Sequence, residues 1–134
     1  TQTLGHAIHA LAKEMEELNF RGKIVVITRG GYGARMIAKY RPTLPIIAIT
    51  PFKKTARELN LMWAVQPFHI GNIDFFQMDA ESIIEESVKF AVDIEALDEN
   101  EHVIILLVSR KFKERGNLVG LYYVGEILEK SSKE

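Results

Sequence analysis

Three short runs constrain this chain more than anything else in it. Residues 23–28 (KIVVIT), 45–50 (PIIAIT) and 102–108 (HVIILLV) are apolar at nearly every position. A strand with one wet face alternates apolar and polar residues. A continuous apolar run of this length, rich in β-branched residues, belongs to a strand buried on both faces. A sheet covered on both sides needs helices, and the sequence between the runs supplies them. Leu4, Ile8, Leu11, Met15 and Leu18 recur at helical spacing and predict an amphipathic helix over residues 3–19. Residues 34–40 return to that spacing and stop before Pro42. Residues 53–62 read as a short helix. Residues 79–97 read as a long one, with Ile83, Ile84, Val88, Ala91 and Ile94 turned inward and Asp79 or Ser82 as its cap.

Two weaker strands complete the pattern. Residues 64–70 (AVQPFHI) contain Pro67, which has no N–H to give to a ladder and so belongs at a sheet edge or strand end. Residues 118–127 alternate less cleanly and are expected as a fifth strand, with the charged tail 129–134 frayed beyond it. Strands alternating with helices imply a mainly parallel sheet with helices on both faces, a three-layer α/β/α arrangement. The last two strands have no helix between them and should pair antiparallel as a hairpin. The whole chain, residues 1–134, reads as one α/β domain.

Composition then removes whole classes of function. A chain of 134 residues can bury a core without metals or disulfides. With 17 Lys and Arg against 18 Asp and Glu, it has no electrostatic case for nucleic acid. No apolar run is long enough to span a membrane. The absence of Cys excludes disulfide scaffolds, thiolate zinc sites and cysteine nucleophiles. No signal or transit segment stands out, so the expected compartment is the cytoplasm.

Ligands of open α/β sheets sit at the carboxyl ends of the strands, where strand order reverses. With strands one to three on one side and four and five on the other, that point lies between strands one and four. Two loops converge there. The first holds Thr28, Arg29, Gly30, Gly31, Tyr32 and Gly33. Its glycines allow a tight turn that presents backbone N–H groups, and the next helix aims its positive end at the same place. This is a candidate phosphate cradle, although it matches neither the dinucleotide nor the P-loop fingerprint. The plain alternative is a tight strand-to-helix turn. The second loop, residues 109–120, carries Arg110, Lys111, Lys113 and Arg115, either as supporting charge or as a solvated hairpin. His6 and His9 are three apart on a helix, but the spacing completes no metal site. Trp63, Phe68, Phe75 and Phe76 read as core or interface. No catalytic constellation emerges.

One stretch carries a family pattern in unbroken order. It has Thr28 with Gly31, then Ala34-Arg35, then Tyr40-Arg41-Pro42. Pro45-Ile46-Ile47-Ala48 with Thr50 follows, then Thr55-Ala56-Arg57 with Leu59 and Leu61, and Ala64-Val65 with Pro67. This resembles the C-terminal domain of pyruvate kinase, over nearly the whole chain and fading after Lys111. The resemblance implies a five-stranded sheet of order 3-2-1-4-5 with the last strand antiparallel. It implies a regulatory and oligomerisation domain, partnered by the remaining pyruvate kinase domains and by further copies of itself. Phosphoryl transfer from phosphoenolpyruvate to ADP, with magnesium and often potassium, would belong to a separate barrel domain; no cofactor and no catalysis are expected in this chain alone. A phosphorylated effector would bind at Thr28, Arg29, Gly30, Gly31, Tyr32 and Gly33, with Arg110 and Lys111 in support.

The chain departs from that pattern at the effector site. Gly30 and Gly33 replace two hydroxyl residues, Ile84 stands where relatives place a phosphate-gripping Arg, and Gln77 stands near their aromatic partner. The stretch RGNLVG replaces a Gly-x-x-Thr-Asn loop. Losing a bidentate Arg–phosphate contact removes a few kcal/mol, which counts against fructose bisphosphate. A smaller anion, another phosphorylated effector, or none remains. The alternative is a stand-alone phosphometabolite-binding or structural protein of the same fold, with the apolar last strand pairing two copies edge to edge.

Overall fold

The computed structural model describes residues 2–40, 42–71, 73–74, 77–109 and 116–132. Ten elements follow one another: α1 (Gln2–Glu17), β1 (Gly22–Ile27), α2 (Tyr32–Lys39), β2 (Ile46–Thr50), α3 (Lys53–Leu59), β3 (Val65–His69), α4 (Ala80–Asp93), β4 (His102–Ser109), β5 (Gly116–Tyr123) and α5 (Val124–Ser132). The five strands form one sheet in the order β3-β2-β1-β4-β5. All neighbours are parallel except β4 and β5. Ile24 of β1 lies between Ile46 of β2 and Ile104 of β4, so the three apolar runs stand side by side at the centre.

Side chains along a strand point alternately to opposite faces, and here each face has its own core. Ile24 and Val26 join Ile46, Ala48, Ile104 and Leu106 under α1, α2 and α3. Val25 and Ile27 join Ile47, Ile49, Ile105 and Leu107 under α4 and α5. Both faces of β1 are therefore buried, which is why its sequence does not alternate. Helices α1 to α3 cover one face and α4 and α5 the other, so the chain changes faces once, between β3 and α4. Asp79 caps α4, its side chain accepting the Ser82 N–H at 2.7 Å. Pro67 lies in the edge strand β3.

The amino ends of β1 and β4 are pinned by an ion pair. Lys23 Nζ donates to Glu101 Oε1 at 3.0 Å and to the Ala96 carbonyl at 2.9 Å. Glu101 is buried, and the same Oε1 accepts the Asp98 N–H at 2.8 Å. Beside this pair the His102 ring stacks on Phe20, centroids 4.1 Å apart, and leans against Tyr123 at 5.0 Å.

Several expectations are corrected. The fifth strand is not residues 118–127: β5 ends at Tyr123, and a helix follows through Ser132 in place of a frayed tail. Val124, Ile127 and Leu128 lie at helical spacing; the first two are buried, and Leu128 packs against the α4-side core. The helix at 53–62 stops at Leu59, and that at 79–97 stops at Asp93. Ile94 and Leu18, expected inside, are 40% and 54% exposed. Both sit just past a helix end, where Glu95 (φ 63°) and Asn19 (φ 59°) turn the backbone away. Trp63 is not core: it is 84% exposed, next to Ala64 at φ 70°. Phe68 does pack on the core; Phe75 and Phe76 lie outside the described residues.

Candidate functional site

Strand β1 has β2 on one side and β4 on the other, so the strand order reverses at its carboxyl end. The loop of Thr28, Arg29, Gly30, Gly31, Tyr32 and Gly33 leaves the sheet at that point and opens α2. Thr28 is 2% exposed, and its Oγ1 accepts the Gly31 N–H at 3.0 Å. Gly31 has φ 85°, the left-handed region that glycine enters without steric cost. Gly33 is buried, and a Cβ there would come within 2.9 Å of Val108. The glycines thus serve a left-handed turn and a close approach of helix to sheet.

The loop is braced from three sides. The Arg29 carbonyl accepts from Thr50 Oγ1 at 3.1 Å and from Thr55 Oγ1 at 2.8 Å. Thr50 Oγ1 also accepts the Phe52 N–H at 3.2 Å, tying the ends of β1 and β2 together. Arg35 Nη1 donates to the Gly30 carbonyl at 3.0 Å, and its Nη2 meets Glu58 at 3.2 Å. The family-pattern residues Thr50, Thr55 and Arg35 therefore act as supports of the turn, a function that spacing alone did not assign to the two threonines.

Each expected donor has a distinct position. Thr28 is buried and already hydrogen-bonded, and the Gly31 N–H is spent on it. Gly30 is exposed, and Tyr32 is 53% exposed at the start of α2. The Arg29 guanidinium lies over the Phe52 ring, 5.7 Å from its centroid, which keeps a cation at the loop. The first-turn N–H groups of a helix have no intrahelical acceptor, and they carry the positive end of the helix dipole. The loop can thus offer an anion α2's first turn and the Arg29 charge, with Thr28 as a brace. Arg110, Lys111, Lys113 and Arg115 lie outside the described residues, as does Arg41; the strand β5 already begins at Gly116, so the second loop is shorter than residues 109–120.

His6 and His9 are exposed on α1, and His6 meets the edge of the Tyr40 ring at 5.8 Å. Among the described residues no three His, Asp or Glu side chains group to hold a metal. Among them too, no helix is long and apolar enough to cross a membrane.

Comparison with known proteins gives one answer. The family model "Pyruvate kinase, alpha/beta domain" matches residues 6–118. A pyruvate kinase of Sporosarcina psychrophila is 31% identical over 131 residues, which is 96% of this chain and 21% of that protein. One of Staphylococcus saprophyticus is 34% identical over 109 residues, 80% of this chain and 18% of that protein. The chain therefore spans about a fifth of the length of these relatives. The solved structure of Cryptosporidium parvum pyruvate kinase in complex with ADP shares the fold, with a TM-score of 0.64 and 24% identity over 90% of this chain and 26% of that one. The matched residues take in the sheet from β1 to the start of β5 and the braced loop at its switch point, and on this basis the chain belongs to the pyruvate kinase alpha/beta domain family.

Proposed function

We propose that this chain is the regulatory and assembly domain of a pyruvate kinase, and that the loop from Thr28 to Gly33 is its site for a phosphorylated effector. The observation that carries the reading is the placement of that loop. It sits at the strand-order reversal, holds the Arg29 charge and opens a helix, the setting in which α/β sheets take anions. Arg110 and Lys111 are assigned supporting charge. The internal bond between Thr28 and Gly31, together with Ile84 in place of a gripping Arg, favours a smaller phosphate compound over fructose bisphosphate. In this reading phosphoryl transfer, with magnesium and potassium, belongs to a barrel domain of the parent protein. The exposed leucines of the edge strand, Leu118 and Leu121 at 38% and 40%, support pairing between copies.

The test is a thermal-stability titration with inorganic phosphate, sugar phosphates and nucleotides. A compound that binds only the folded state raises stability by about 2.7 kcal/mol at a hundredfold excess over Kd. The expected result is a saturable rise that Arg29→Glu abolishes while the variant stays folded. No rise with any phosphate compound, or an equal rise in the variant, overturns the effector site.

A further inference from the structure

Helix α3 is fastened to the loop of Thr28 to Gly33 at several points. Thr55 Oγ1 donates to the Arg29 carbonyl at 2.8 Å. Arg35 bridges the two elements, with Nη1 on the Gly30 carbonyl at 3.0 Å and Nη2 on Glu58 at 3.2 Å. Leu59 is buried and lies beside Gly31, where a Cβ would come within 3.2 Å of its methyl group. The helix thus meets Arg29, Gly30 and Gly31 in turn, and a shift of any of them acts on it.

The same helix leads to a different surface. Because β2 and β3 are parallel, α3 starts beyond the carboxyl end of β2, next to the loop, and the turn after it feeds the amino end of β3. That turn is tied to the helix by the Leu61 and Met62 N–H groups, which donate to the Glu58 and Leu59 carbonyls at 3.3 and 3.0 Å. It ends at Ala64, with φ 70°. A residue with a Cβ stores strain there and keeps that conformation only while its neighbours impose it. Between the ties and the strained residue stand Leu61 and Trp63, 88% and 84% exposed.

We propose that α3 relays the conformation of the loop to this turn, with the Arg35–Glu58 pair as its polar strut, so that an anion bound at the loop alters the exposed surface at Leu61 and Trp63. The anion as input rests on the effector reading above; the mechanical link does not.

Trp63 is the chain's only tryptophan, so its indole Nε1–H signal in NMR reports this turn alone. Two inputs are applied to the loop. Thr28→Val strands the Gly31 N–H from within. Inorganic phosphate acts from outside, with thermal unfolding as the separate readout of binding. Both are expected to displace the indole signal, phosphate saturably and with the Kd of the thermal titration. Glu58→Ala should cut either displacement to about half or less. It should leave the phosphate Kd within about fivefold, because an exposed ion pair contributes little by itself. Glu58→Gln, which keeps an acceptor for Arg35, should restore the displacement. A thermal rise with an unmoved indole signal overturns the relay and leaves the effector site standing. A signal moved by Thr28→Val in a chain that phosphate does not stabilise supports the relay and removes phosphate as its input. A signal that neither input moves, or that moves equally with and without Glu58, overturns the proposal.

Discussion

Thr28 shows how one hydroxyl decides the shape of a loop. It is buried at the end of β1, and its oxygen accepts the N–H of Gly31, the residue held at φ 85°. Replacing it with Val keeps the volume and strands that N–H, a penalty of about 1–3 kcal/mol. Urea unfolding of Thr28→Val should show that loss. The charged residues divide by the same logic of burial. Glu101 is 2% exposed and satisfies both Lys23 and the Asp98 N–H, whereas Glu58 meets Arg35 in the open. Removing one partner of a buried pair leaves the other uncompensated, at about 3–5 kcal/mol when both are fully buried. Lys23 retains some access to water, so Glu101→Ala should cost about 2–3 kcal/mol. Glu58→Ala should cost no more than about 1 kcal/mol. Equal losses in the two variants would contradict this ordering.

At the scale of elements, the central strands were legible because burial on both faces leaves a continuous apolar run, and the short length and β-branched content of these runs favour strand over buried helix. The α4 cap was legible at Asp79. The last helix was not. The stretch LVGLYYVGEI contains two β-branched valines, two tyrosines and two glycines, and every one of these speaks for strand or turn. Only Val124, Ile127 and Leu128 carry the helical interval, and three residues are too few to outweigh the rest. Tertiary contact settles the matter: Val124 and Ile127 complete the core under α4. Ile127→Ala should therefore cost about 2–5 kcal/mol, measured by chemical unfolding; a change below 1 kcal/mol would mean that α5 is only loosely docked. The braces of the candidate site were hidden for another reason. Thr50 and Thr55 lie more than twenty residues from the Arg29 carbonyl they hold, and only the parallel pairing of β1 with β2 brings them to it.

At the scale of the molecule, the sheet has two edges with different protection. The β3 edge carries Pro67, which blunts strand addition. On β5, Leu121 lies opposite Ile104, on the side of the sheet covered by α1 to α3, and is 40% exposed. In the proposed assembly, that edge is where a second copy would pair. Sedimentation at micromolar concentration should show a dimer that Leu121→Lys dissociates without unfolding; a monomeric parent chain would remove the assembly reading. The single change of faces has a consequence of its own. A cut after Gly71 would leave β1 to β3 with one helical layer and none on their other side, and β4 and β5 with the reverse. Each half lacks the cover that the other half carries, and the β1–β4 ladder is the seam between them. The two pieces would be mutually dependent, neither holding its shape apart and both recovering it when mixed, which makes this fold a natural candidate for a split-protein reporter.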